Sequence, residues 1–600
     1  MRLLATHQGR GPPTCAAIGR VASGPDTGRT GGAPPLPPPA RTPTLPHRAL
    51  AVAAATILSL GVLTSTPPPA WSTAVAAGGA PAIIAAAELA KPLPPPWSPS
   101  DPPLATTSLP PLRNFTPPKV ERATLANGLR ILFVPDRDTP TVRGVLIMRG
   151  GSRAAPAARP AVASLAATVQ RSGGSTSHPG STFDDALDAM AASIEAGAAA
   201  DGTSIGFEGL APDLAPIMNL VGELVTSPAL PPPKLALAQA SAVDALRHRD
   251  DAPGSLPGRE AAKLVYGKGS VHARSPTIEG VMGTTPADLR AFLGAWQRPD
   301  AAVLAVVGDG SLNSVVEAVK ASPLGSEWTA LVPGPPPPLP DTPLADRASY
   351  AGRTFLVDRP GLAQATVVLA EPGVLLTDVD APSLDILGGA LSSFGGRLFD
   401  GLRSRDGLAY SVSAGWDTGR ADHVGLFIAG GSTADPAKFL EGLVAALDGL
   451  GTGGAATLST NEVGRAREQA INGFVFNFAS PDALASRAAS LALADLDPDY
   501  LATYRAGLGA VSPASVAAAA AAHLHPRGGA VAVVVGDART VRPALEALGR
   551  GPVVDLVPEP VSKVKVNASV AAVSAAATAA PGGGGGGGGG GSAGAGAAVE

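Results

Sequence analysis

Two octapeptides about 228 residues apart constrain the architecture more than any other feature. They are AVLAVVGD (302–309) and AVAVVVGD (530–537). Each is apolar at every position before its Gly-Asp close, which a strand requires only when both of its faces are covered. Each follows a helix start that has a hydroxyl N-cap and a proline at the first helical position, TPADLRAFLGAW from Thr285 and SPASVAAAAAAHL from Ser512. An earlier pair repeats at a similar offset: GLRILFVPDRDTPTVRGVLIM (128–148) and GRTFLVDRPGLAQATVVLA (352–370) both read as strand, turn, strand. The body of the chain is therefore two copies of one α/β unit.

Within each copy the strand pair leads into amphipathic helices. Apolar residues recur at three and four spacing over 183–194 and 214–225 in the first copy, and over 383–391 and 439–450 in the second. Segments 204–210 and 423–431 alternate as half-buried strands. The expected fold class is α/β (α+β), two homologous α/β halves, each a mainly antiparallel sheet with helices packed on one face, forming a clam-like chamber. The halves are expected at 119–325 and 350–550, joined by a proline-rich linker over 326–349. Its four consecutive prolines, Pro335 to Pro338, favour an extended, semi-rigid path. With aromatics at 4% of the chain, the core must be mainly aliphatic.

The flanks have a different composition. Residues 1–77 read as a targeting leader: Arg2, Arg10, Arg20, Arg29, Arg41 and Arg48 stand against a single acid, Asp26, before an apolar stretch at 49–63. That stretch is short for a bilayer span of about 20 residues, so no stable transmembrane span is expected. Ala74 and Ala76 then offer a small-residue cleavage site. The arrangement suits a chloroplast protein sent onward toward the thylakoid, with a mitochondrial leader or bacterial export as the alternatives. A proline-rich tether (78–118) and an Ala/Gly tail (551–600), the latter including the glycine run from Gly582 to Gly591, are expected to lack a core and to be disordered. Cys15, the chain's one cysteine, lies in the leader. A mature chain without it has no disulfide, no thiolate metal site and no cysteine nucleophile. A net charge of −4 with 16% charged residues gives no basic face for nucleic acid.

LANGLRILFVPDRDTPTV (125–142) with GSR (151–153), LVYGKGSVHARSPT (264–277), QRPDAAVLAVVGD (297–309) and above all GGRLFDGLRSRDGLAYSV (395–412) resemble the insulinase/pitrilysin family of zinc metallopeptidases. The likeness is to its smaller, processing-peptidase-like members and covers about residues 118–550. It implies two similar halves around a peptide-binding chamber. It also implies an inverted zinc motif, H-x-x-E-H, on the helix after the GSR strand end, with a third glutamate ligand about 75 residues on. Laid on that motif, PAVASLAATVQRSGGS (160–175) places Ser164, Ala167 and Thr168 where histidine, glutamate and histidine would stand, and Asp244 falls at the third ligand. A hydroxyl is a poor zinc ligand, and alanine has no proton acceptor. This chain is thus expected to hold no zinc itself. His523 and His525 precede Pro526, but side chains two apart at a helix end diverge. His178 and His272 lie in polar loop contexts and read as surface histidines, and no Ser/His/Asp arrangement is recognisable.

The resemblance also implies an arginine and a tyrosine in the second half that reach the substrate; here that spacing joins Arg403 and Tyr410. A guanidinium and a phenol can grip a peptide carbonyl or steady an oxyanion. The alternative is that Tyr410 packs on a strand and Arg403 is solvated. The stretch GGALSSFGG (388–396) resembles the mobile substrate-contacting loop of zinc-less processing-peptidase subunits, though a helix cap would use the same residues. Two functions follow as expectations. One is the non-catalytic subunit of a heteromeric metalloendopeptidase, acting on peptides with a homologous subunit that supplies the zinc. The other is a structural or assembly protein with no peptidase role.

Overall fold

The computed structural model describes residues 118–559 except 253, 330–333, 341–342, 418, 421, 453–455, 479 and 497–499. The leader, the tether before Pro118, Cys15 and the tail from 560 onward lie outside the described residues. In the first half the strands are β1 (Glu121–Thr124), β2 (Arg130–Pro135), β3 (Thr141–Arg149), β4 (Ser193–Ala198), β5 (Gly202–Leu210) and β6 (Ala302–Gly308). In the second they are β7 (Thr354–Asp358), β8 (Ala365–Pro372), β9 (Ala409–Asp417), β10 (Leu426–Thr433), β11 (Val531–Gly536) and β12 (Val553–Asp555).

The sheet orders are β1-β2-β6-β3-β5-β4 and β12-β7-β11-β8-β10-β9. Five strands therefore repeat in the same order. In both sheets the first strand of the repeat runs parallel to the last, β2 to β6 and β7 to β11, and the other pairs among these five are antiparallel. The sixth strand occupies the same edge in both halves but comes from different places. β1 precedes its unit and pairs antiparallel with β2, whereas β12 follows its unit and pairs parallel with β7. The ordered body consequently runs past the boundary expected at residue 550. The Gly-Asp close of each octapeptide also has a steric reason: a Cβ at Gly308 would meet the Thr141 carbonyl at 2.3 Å, and one at Gly536 would meet the Ala365 side chain at 2.9 Å.

The helices of the first half are α1 (Val162–Gly173), α2 (Ser181–Asp188), α3 (Leu214–Thr226), α4 (Pro232–Arg247), α5 (Leu256–Tyr266), α6 (Pro286–Trp296) and α7 (Leu312–Ala321), with short helical turns between them. Those of the second are α8 (Ala381–Ser392), α9 (Pro436–Leu447), α10 (Thr460–Gly473), α11 (Pro481–Leu493), α12 (Tyr500–Ala510), α13 (Pro513–His523) and α14 (Ala538–Ala547). The two expected helix starts are capping boxes, Thr285 with Asp288 on α6 and Ser512 with Ser515 on α13. Two expectations are corrected. The helix proposed over 183–194 stops at Asp188; Ala191 turns with φ of 48°, and Ile194 enters β4 to be buried in the core. Most of the proposed glycine loop 388–396 is helical to Ser392, because Leu387, Ala390 and Leu391 bury in the second core.

Why the octapeptides lack polar alternation is clear from the packing. Each half's own helices cover one face of its sheet: Ile131, Phe133, Leu304 and Val306 meet α3 and α7, while Leu369, Ala532 and Val534 meet α8, α9 and α13. The opposite faces are covered by exchange. Leu132, Val145, Ile147, Val303 and Val307 of the first sheet pack on Leu484, Ala485, Ala489 and Leu493 of α11. Phe355, Val368, Val531 and Val533 of the second sheet pack on Ala261, Val265 and Tyr266 of α5. Helices on one face therefore describes each half alone, and the other face belongs to the partner half. Among the described residues no helix is long and apolar enough to cross a membrane.

Candidate functional site

The positions matched to the zinc motif lie on α1 and α4, and those two helices pack together. Ser164 and Thr168, one turn apart on α1, are exposed, while Ala167 is 3% exposed. The Ser164 hydroxyl donates to the Ala161 carbonyl at 2.9 Å, the ordinary local bond of a helical serine. Asp244 on α4 has a side chain 72% exposed and stands 3.7 Å from His248 one turn on. A set of two hydroxyls, a methyl and a solvated carboxylate does not fit zinc.

Arg403 and Tyr410 are brought together. Arg403 lies in a π-helical turn, Phe399–Arg405, and Tyr410 on β9, the edge strand that follows. The guanidinium carbon stands 5.0 Å from the Tyr410 ring centre and 4.4 Å from that of Phe399. It is thus stacked on both rings, held by cation–π attraction. Phe399 in turn packs, tilted, against Phe394 at 4.6 Å between ring centres. Tyr410 is 83% exposed and Phe394 is 89% exposed, so the cluster presents aromatic faces and a cation to solvent. Asp406 does not intrude on it. Its carboxylate pairs with Arg405 at 2.8 Å, and that bond holds its pKa below the ordinary value. Arg397, at the start of the same motif, acts elsewhere. Its guanidinium grips Glu462 at 3.0 and 2.9 Å and ties the turn to the start of α10.

A second cluster was not legible in the sequence. Arg153, the last residue of GSR, is 2% exposed and links the two halves. It donates to Asp201 at 2.6 Å within its own half and to Asp422 at 2.9 Å in the β9–β10 connection of the other. Arg420 reaches back to Asp201 at 3.0 Å. His423 donates to Asp422 at 2.9 Å and packs, tilted, on His272 with ring centres 4.1 Å apart; His272 also packs on Tyr266 at 5.0 Å. Burial alone would raise the Asp201 pKa, but the hydrogen bond and charge of Arg153 outweigh it and hold the carboxyl low. Asp422 is lowered by its bond to His423 and by Arg153. Burial, then the charges of His423 and Arg153, pushes His272 down to about 4. The cleft beside this cluster, lined also by Arg149 and Ser490, holds about 80 Å³.

The remaining histidines are engaged. His178 and Ser175 both donate to the same Glu223 oxygen, at 2.8 and 2.6 Å, so Ser175 is bonded to the carboxylate and not to the imidazole. With Ser175 fully buried, that geometry ties a loop and offers no accessible nucleophile. His178 is a surface histidine, 38% exposed at its side chain, though a bonded one, whereas His272 is half-buried between Tyr266 and His423 and not at the surface as expected. His523 and His525 do diverge, to Asp380 at 3.0 Å and to Glu371 at 3.3 Å. Asp378, Asp380 and His523 stand within 4.8 Å of one another, the one such trio of His, Asp or Glu among the described residues.

Residues 284–470 match the family model for the peptidase M16 inactive domain, a span that contains Arg403 and Tyr410 but not the α1 positions. No curated protein matches the chain. Among solved structures it is similar to a peptidase M16 inactive domain from Pseudomonas fluorescens, with 21% identity, a TM-score of 0.60, and coverage of 70% of this chain and 98% of that one. It is also similar to a protease from Helicobacter pylori, with 19% identity, a TM-score of 0.62, and coverage of 70% and 99%. A chain of complex III2 from Candida albicans is 16% identical, with a TM-score of 0.56 and coverage of 72% and 100%.

Proposed function

We propose that this chain, an insulinase/pitrilysin-like homologue without the zinc motif, is the non-catalytic subunit of a heteromeric metalloendopeptidase. A homologous subunit supplies the zinc and the general base, and this chain supplies a wall that holds the peptide. One observation carries the reading. The Arg403 guanidinium is held over the Tyr410 ring at a surface where Tyr410 is 83% exposed. An ordered cation and a free phenol are donors to a peptide carbonyl or to the oxyanion formed when it is attacked. The composition of the leader supports delivery to a chloroplast.

A second reading also has an observation in its favour. Arg403 already stacks on Phe399 at 4.4 Å, which would suffice to order the turn in a purely structural subunit. Affinity purification of the tagged chain from its native organelle separates the two. Recovery of a homologue that carries H-x-x-E-H supports the peptidase reading. In the reconstituted pair, Arg403→Ala and Tyr410→Phe should each lower peptide cleavage by about 10- to 100-fold with the unfolding midpoint unchanged. Unaffected cleavage, or purification with no such homologue, favours the structural role. Stoichiometric zinc and proteolysis in the chain alone would overturn both.

A further inference from the structure

The turn that follows α14 and the turn that precedes β11 enclose a pocket of about 420 Å³ in the second half. Its apolar side is formed by Leu440 and Val444 of α9 with Leu548. Two guanidiniums also line it, Arg527 and Arg550. Arg527 is 66% exposed and pairs with Asp448. Arg550 is half-buried, and among the described residues its side chain makes one hydrogen bond, from Nη2 to the Ala530 carbonyl at 3.2 Å. Its Nε is enclosed without an acceptor. Burial, and next to it the charge of Arg527, pushes the Arg550 pKa down. Glu371, the acid near enough to oppose that effect, already accepts from the His525 amide at 2.8 Å and is itself raised by burial.

A cation withdrawn from water without a counter-charge is costly, and a second cation beside it adds to the cost. An oxyanion relieves both, because guanidinium forks match phosphate and carboxylate oxygens. We propose that this pocket binds an oxyanion, a phosphate or a carboxylate, carried on a small apolar body that packs on Leu440, Val444 and Leu548. Glu441, exposed among the lining residues, opposes an anion and limits affinity without abolishing it. The site is independent of Arg403 and Tyr410.

The test is calorimetric titration and thermal unfolding of the full-length protein with inorganic phosphate and, separately, with octanoate. Saturable binding and a raised unfolding temperature are expected with at least one, and the tighter probe identifies the source of the oxyanion. Arg550→Gln should weaken that binding by about tenfold or more and remove the thermal shift. Its unfolding temperature without ligand should stay the same or rise, because a half-buried charge with no hydrogen-bonded counter-ion has gone; a fall would mark Arg550 as structural and count against the site. Arg527→Gln, at an exposed position, keeps the fold safe and should weaken binding by about threefold. Glu441→Gln should tighten it by about twofold. No saturable binding of either probe, or full affinity in both arginine variants, overturns the proposal.

Discussion

At position 167 a methyl group is 3% exposed on a helix whose neighbouring positions 164 and 168 face water. Glutamate there would lose its hydration without gaining a cation. Ala167→Glu is therefore expected to cost about 2–4 kcal/mol, read as a lower midpoint in urea. Ser164→His and Thr168→His should stay within about 0.5 kcal/mol of the parent. The triple variant is accordingly expected to retain no more zinc after dialysis than the natural chain, since its gain in ligands is offset by damage to the helix that must hold them. Tyr410 contrasts with this. Its phenol oxygen bonds to no described residue and its ring is almost wholly exposed, so Tyr410→Phe removes a donor without a packing cost. A change there that alters stability would mean the ring is covered by something other than substrate.

Element by element, what was legible followed from interactions close in sequence. The capping boxes at Thr285 and Ser512 join residues three apart, and the octapeptides declare burial on both faces by their own composition. The end of α2 was hidden because the apolar spacing of 183–194 continues through it. Pairing of β4 with β5 decides the matter, with Ile194 opposite Phe207. The Arg403–Tyr410 pair was implied by the family resemblance of one local motif, while Arg153 and Asp422 are 269 positions apart and announce nothing locally. What covered the second face of each sheet was also invisible, since an amphipathic helix does not state which sheet it meets. The exchange makes α11 a structural member of the first half. Ala489 is 0% exposed against that half's sheet, so Ala489→Asp should cost more than about 3 kcal/mol. Leu484→Ala should cost about 2–3 kcal/mol. Hydrogen exchange should show the loss of protection in β3 and β6, though the substitutions lie more than about 150 residues away by sequence; loss confined to the second half would contradict the exchange.

Across the whole molecule the two halves are joined by these exchanged helices and by the Arg153 cluster, and the cluster makes the joint sensitive to acid. His272 is held neutral: its folded pKa is about 4 against an ordinary value of 6.5. An unfolded chain therefore binds a proton between those values that the folded chain refuses, and stability falls as pH drops from about 6.5 to about 4. The groups facing His272 are Tyr266, His423, Arg153, Asp201 and Asp422. The carboxylates Asp201 and Asp422 act in a second window. Their folded pKa values lie below the ordinary carboxylate value, so their contribution is complete above the unfolded pKa and is lost as pH falls further. Two stages of acid destabilisation are expected in urea titrations at stepped pH. His272→Phe should flatten the upper stage and leave the lower one. Arg153→Met should weaken the lower stage and cost about 3 kcal/mol at neutral pH, because Asp201 then keeps Arg420 and Asp422 keeps His423 but neither keeps its bond to Arg153. If the natural chain showed no slope between pH of about 6.5 and about 4, His272 would take its proton as readily in the folded chain as in the unfolded one, and the joint's sensitivity to acid would rest on Asp201 and Asp422 alone.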